Sequence, residues 1–220
     1  MTTDATPAPT SVQRLHAALA EMPLVAVLRG ITSAEVHDVA KGLWHSGFRV
    51  MEVTLNSPDP FESIARLRQA VPEAVVGAGT VLEGAQVGLV KQAGGELVVA
   101  PDFNPQVAQA AATESLAYLP GVVTPSEAFA ALRLGAHGLK FFPSDLVPPE
   151  AIKAMRAVLP PSTWVLAVGG ITAEKMPAYL KAGANGFGTG SNLYAPGRSA
   201  EEVARRAHEL VGALQTARGR

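Results

Sequence analysis

Eight short apolar runs alternate along the chain with stretches in which apolar positions return every three or four residues. The runs, 24–28, 48–55, 74–77, 97–100, 116–119, 138–142, 164–167 and 186–188, are rich in Val, Leu and Phe. They are apolar on both faces, as expected of parallel strands covered by helices on each side. The intervening stretches, among them 33–46, 58–70, 84–93 and 126–134, carry helical periodicity, and a further helix is expected at 12–21. A repeat of roughly 20–25 residues per strand and helix is close to a minimal βα unit. Eight such units predict a (β/α)₈ TIM barrel, with the extra N-terminal helix over its floor. An open, doubly wound α/β sheet is the alternative.

Local punctuation agrees with this pattern. Thr32 and Ser33 before Glu35, and Thr124-Pro125-Ser126-Glu127, read as helix starts. Gly47, Gly94, Gly135 and Gly183 stand where helices end before the next strand, positions that favour a left-handed residue.

Composition narrows the function classes. With 220 residues, 48% of them hydrophobic, the chain can bury one large core, and no linker-like tract interrupts it after residue 11. One domain over 11–220 is therefore expected. The polar first ten residues read as a disordered tail, without the basic and apolar regions of a signal peptide. A formal charge of −1 without long basic runs gives no sign of a nucleic-acid or membrane partner. The lack of cysteine removes disulfides, thiolate metal sites and a cysteine nucleophile, and is compatible with the cytoplasm.

Catalytic residues of such a barrel sit where strands end and βα loops begin. Lys140 interrupts the apolar run 138–142, where burying an ammonium is costly. A desolvated lysine becomes a nucleophilic amine suited to Schiff-base formation, although a lone strand-end lysine also reads as solvent-reaching or ion-paired. Glu52 is a second ionisable residue inside a strand, on one face with Val50 and Thr54. The two form either a structural ion pair or an acid–base pair. Arg29, at the tip of the first run, suits a carboxylate anchor or a partner for Glu52. Thr80, after two glycines, suits a donor to a bound acid or a helix cap. Gly169-Gly170 and Gly188-Thr189-Gly190-Ser191 follow the seventh and eighth runs, where this architecture holds phosphate, although tight turns alone would explain them. The five histidines show no ligand spacing, and no serine-nucleophile elbow is present.

Taken together, MEVTLNSP, VGAGTVL, LKFFPS, AVGGIT and GTGSNLY resemble, in order, the class I aldolases of the 2-dehydro-3-deoxy-phosphogluconate and phosphogalactonate family, over about 24–199. The resemblance implies Lys140 as the Schiff-base lysine and Glu52 as general acid and base. It implies Arg29 and Thr80 at the pyruvyl carboxylate, and Pro101 and Phe142 as pocket walls. Gly169, Gly170, Gly190 and Ser191 would hold phosphate. The implied reaction is reversible cleavage of a six-carbon 2-keto-3-deoxy-6-phospho acid to pyruvate and glyceraldehyde 3-phosphate. The implied enzyme is a cytoplasmic homotrimer with no metal or other cofactor. Asn56 where the gluconate branch carries arginine, Arg29 in VLRG, and Val168 where that branch tends to have threonine all lean to the galactonate branch. A dual-specificity enzyme, a phosphosugar isomerase or epimerase, and a non-catalytic phosphate-binding barrel are the alternatives.

Overall fold

The computed structural model describes residues 8–219. Most of the expected tail, residues 1–7, lies outside them; Thr10 caps the first helix, its hydroxyl accepting from the Gln13 N–H. The strands are Leu24–Leu28 (β1), Val50–Thr54 (β2), Val75–Gly79 (β3), Leu97–Val99 (β4), Ala117–Leu119 (β5), Gly121–Val122 (β6), Leu139–Phe141 (β7), Val165–Val168 (β8) and Gly186–Thr189 (β9). All pair in parallel, in the order β5-β4-β3-β2-β1-β9-β8-β7-β6. The helices are Ser11–Glu21 (α1), Val36–His45 (α2), Pro60–Ala70 (α3), Gly84–Gln92 (α4), Pro105–Thr113 (α5), Pro125–Arg133 (α6), Pro149–Arg156 (α7), Met176–Lys181 (α8) and Ala200–Ala217 (α9).

The expected barrel is present, with one addition: a ninth segment, β6, follows the fifth run. Pro120 has no N–H to give a ladder, so β5 and β6 part there. The first piece pairs with β4 and the second with β7, while His137 N–H and Lys140 N–H reach Tyr118 O and Pro120 O. One bent strand thus closes the cylinder.

Period-2 alternation sorts the strands into an inner and an outer set. Val25, Val50, Val75, Leu97, Leu119 and Leu166 fill the interior together with Leu15 and Leu19 of α1. Their neighbours Leu24, Met51, Val76, Val98 and Leu139 pack outward beneath the helices. α1 therefore plugs the floor, as expected. Arg14 fixes it there, donating to Glu96 and to the carbonyls of Pro72, Glu73 and Ala74.

Gly47, Gly94, Gly135 and Gly183 all have positive φ, between 82° and 107°. Thr124 and Glu127 form the expected capping box over α6. The start of α2 differs. Thr32 and Ser33 make no side-chain cap; a turn runs through to Glu35, and the helix opens at Val36. The Thr32 carbonyl takes the Val36 N–H instead, so backbone does the work expected of a hydroxyl.

Candidate active site

Glu52 is the middle residue of β2, facing inward between Val50 and Thr54 and paired in register with Val27 and Gly77. It is 1% exposed, and neither carboxylate oxygen has a hydrogen-bond partner. Buried carboxyls are normally satisfied, so this one is held ready for something other than stability. Burial drives its pKa up, and the charges of Lys140 and Arg29 pull it partly back. Space for the carboxyl comes from Gly79, where a Cβ would stand 2.3 Å from Glu52 Oε1.

Lys140 is the central residue of β7 and 6% exposed. No hydrogen bond joins it to Glu52 among the described residues, although each group's charge acts on the other. Burial pushes the Lys140 ammonium pKa down; Glu52 opposes that shift and Arg29 adds to it. Its Nζ lies 4.8 Å from the centre of the Phe142 ring. Desolvation thus pushes both groups toward their neutral forms, an amine and a carboxylic acid, while their mutual attraction opposes the shift. Carbinolamine formation and dehydration need that pairing.

Above them opens a cleft of about 260 Å³, lined by Arg29, Lys140, Phe142, Val168, Gly169, Gly170, Gly190 and Ser191 among others. Its volume suits a small metabolite, near the lower end of ligand pockets at about 300 Å³. Val27, Lys140 and Val168 also line a narrower space that runs down to Glu52, so cleft and carboxyl are continuous. Arg29 is exposed at the rim, with no hydrogen bond or ion pair to its guanidinium among the described residues.

The two glycine loops meet at the other side of the cleft. Gly169 and Gly170 have φ of 94° and 64°, which turn the chain sharply after β8. Buried Ser144 holds that turn, its N–H donating to Val168 O and its hydroxyl to Gly169 O. After β9, Gly190 O accepts from the Leu193 and Tyr194 N–H groups. Asn192 Nδ2 donates to Ile171 O at 2.6 Å and ties the two loops together. Lys175 and Arg198 each donate to a loop carbonyl, Gly170 O and Ser191 O respectively. Tyr194 walls the cleft, and its hydroxyl donates to Glu35 in the β1–α2 connection.

Two expected residues stand apart. Thr80 follows Gly79 with φ 56° and Pro101 follows β4; both are half-buried at the same barrel end, and neither lines the cleft. Thr80 is not a helix cap either, because Glu83 fills that position for α4. Sequence pattern does not single out Tyr194, Asn192 and Ser144: they lie inside GTGSNLY and LKFFPS but bring no charge into an apolar run. Among the described residues, no group of three His, Asp or Glu side chains gathers in a metal-binding arrangement.

Comparison with known proteins agrees with this geometry. The family model described as KDPG and KHG aldolase matches residues 15–206. A probable 2-dehydro-3-deoxy-6-phosphogalactonate aldolase of Rhizobium meliloti is 44% identical over 200 residues, covering 90% of this chain and 94% of that protein. The 2-dehydro-3-deoxy-6-phosphogalactonate aldolase of Escherichia coli is 40% identical, covering 90% and 97%. A solved structure described as native KDPGal superposes with a TM-score of 0.89 at 40% identity, over 91% of this chain and 98% of that one. A match over most of the barrel, at this identity, leaves one conclusion: the chain belongs to the KDPG and KHG aldolase family.

Proposed function

We propose that this chain cleaves 2-dehydro-3-deoxy-6-phosphogalactonate to pyruvate and D-glyceraldehyde 3-phosphate through a Schiff base on Lys140. The observation that carries this reading is the desolvated Lys140 amine opening into the same cleft as the unpartnered Glu52 carboxyl. The Lys140 amine adds to the C2 carbonyl, and Glu52 delivers the proton that lets the carbinolamine lose water. The iminium then draws the C3–C4 bonding electrons as a base removes the C4 hydroxyl proton, which frees the aldehyde and leaves an enamine. Protonation at C3 and addition of water release pyruvate and restore the amine. Arg29 holds the carboxylate, and Phe142 walls the reacting carbons. The N–H groups around Gly169, Gly170, Gly190 and Ser191 receive the phosphate.

The galactonate branch is supported by the names of the two relatives and by Val168, which is buried at the cleft wall. Valine offers no hydrogen bond to the C4 hydroxyl, whose configuration alone separates the two epimers. Pyruvate release from each epimer tests the assignment. Higher kcat/KM on the galactonate epimer is expected, and equal values would make the enzyme dual-specific. A cytoplasmic homotrimer of 11–220 barrels is part of the same proposal. Sedimentation analysis, which reads the mass, tests the trimer.

A further inference from the structure

Ser57 lies in the loop that leaves β2, is not among the residues that line the cleft, and is 8% exposed. Its hydroxyl accepts the Gly30 N–H at 2.8 Å and lies 3.4 Å from the Leu28 carbonyl. Gly30 and Leu28 are the two neighbours of Arg29. A third contact joins Ser57 Oγ to Thr54 Oγ1 at 3.0 Å, and the Ser57 N–H donates to Thr54 O at 2.9 Å. Hydrogen bookkeeping orders the chain. A serine hydroxyl has one proton and two lone pairs. With Thr54 donating to it and Gly30 donating to it, its own proton is free for Leu28 O. Every group is then satisfied, and one hydroxyl grips the backbone on both sides of Arg29.

The surroundings make that grip matter. Arg29 is a long side chain exposed at the cleft rim, with no side-chain hydrogen bond to orient it. Gly30 turns away with φ 80°, and a Cβ there would stand 2.8 Å from Pro196 Cγ in the cleft wall. The aim of the guanidinium therefore depends on where the backbone holds its Cα. We propose that Ser57, braced by Thr54, is a positioning residue that sets Arg29 for the substrate carboxylate. The proposal rests on the reading of Arg29 as carboxylate anchor.

Steady-state kinetics on Ser57→Ala, Arg29→Ala and the double variant test it. Ser57→Ala is expected to raise KM about tenfold with kcat within about twofold, since loss of uniform substrate binding leaves the chemical step alone. Ser57→Thr keeps the hydroxyl and restores KM. Thr54→Val, which removes only the brace, raises KM about threefold, in the direction of Ser57→Ala. In the Arg29→Ala background, Ser57→Ala should raise KM no further. Independent, multiplying effects would overturn the proposal, as would a Ser57→Ala enzyme with lowered melting temperature but unchanged KM. If Arg29→Ala itself leaves KM unchanged, the anchor reading fails first and the proposal falls with it.

Discussion

Two glutamates of this barrel, one at its floor and one in its interior, show how burial separates structure from chemistry. Glu96, at the floor, accepts from Arg14 at 3.0 Å and from Arg68 at 3.3 Å, and both arginines also donate to the carbonyl of Ala74. Glu52, inside the barrel beneath the cleft, is more deeply buried and accepts nothing among the described residues. The first carboxylate is paired and hydrogen-bonded, so removing it breaks a network. The second is an uncompensated group in an apolar strand, so removing it relieves a cost. Stability and activity should therefore respond in opposite ways to the same kind of substitution.

Lys140→Met breaks the comparison most severely on the chemical side. Turnover should fall by about a thousandfold or more, because the covalent route has no other amine, while the melting temperature holds or rises. Wild-type kcat/KM should meanwhile rise with pH through a limb below the ordinary lysine value of 10.5, since burial lowers the Lys140 pKa and the free amine is the reactive form. A limb near the ordinary value would mean that Lys140 is not desolvated. Glu52→Gln keeps the shape and removes the proton carrier; a loss in kcat of about a hundredfold or more is expected without thermal destabilisation.

Glu96→Ala sharpens the contrast from the other end. Chemical denaturation should show a loss of about 1–3 kcal/mol, as charge-assisted bonds to two arginines go, with kcat and KM unchanged below the transition. Altered kcat in that variant would show that the floor communicates with the cleft.

The smallest effect belongs to His137, also at the floor. Its Nδ1 accepts the Tyr118 N–H, while its carbonyl bonds His16 Nε2. Burial, then the nearby His16, lowers its pKa from the ordinary 6.5. A depressed folded-state pKa contributes stability that is present above 6.5 and is lost as pH falls through the lower folded value. Melting temperature should sag as the pH falls below 6.5, and His137→Asn should flatten that slope.

Much of this was legible beforehand because the signals were anomalies. Lys140 and Glu52 stood out as charges inside apolar runs, and the structure puts both inside the barrel. Period 2 placed Glu52 with Val50 and Thr54 on one face, and that face turns inward. Glycines closing helices read correctly because L side chains avoid positive φ. The less visible parts depend on tertiary geometry. Nothing local in the run 116–119 announces a strand that bends at Pro120 to close the sheet, since an edge or an end would also accept proline. Thr32 and Ser33 had good cap chemistry, yet the turn before α2 used a carbonyl. Thr80 and Pro101 sit on the correct barrel end but outside the cleft, a distinction that strand order alone does not draw. Ser57 carries no local signal, because its partners Gly30 and Leu28 lie 27 and 29 residues away, at the end of β1.

The central claim is that the buried Lys140 amine forms an imine with the keto acid. Incubation with pyruvate and borohydride, followed by peptide mass analysis, reads it directly. One reduced pyruvyl group on the peptide containing Lys140, with parallel loss of activity and no label in Lys140→Met, is the predicted result. An unlabelled Lys140 in an enzyme that still releases pyruvate would contradict it.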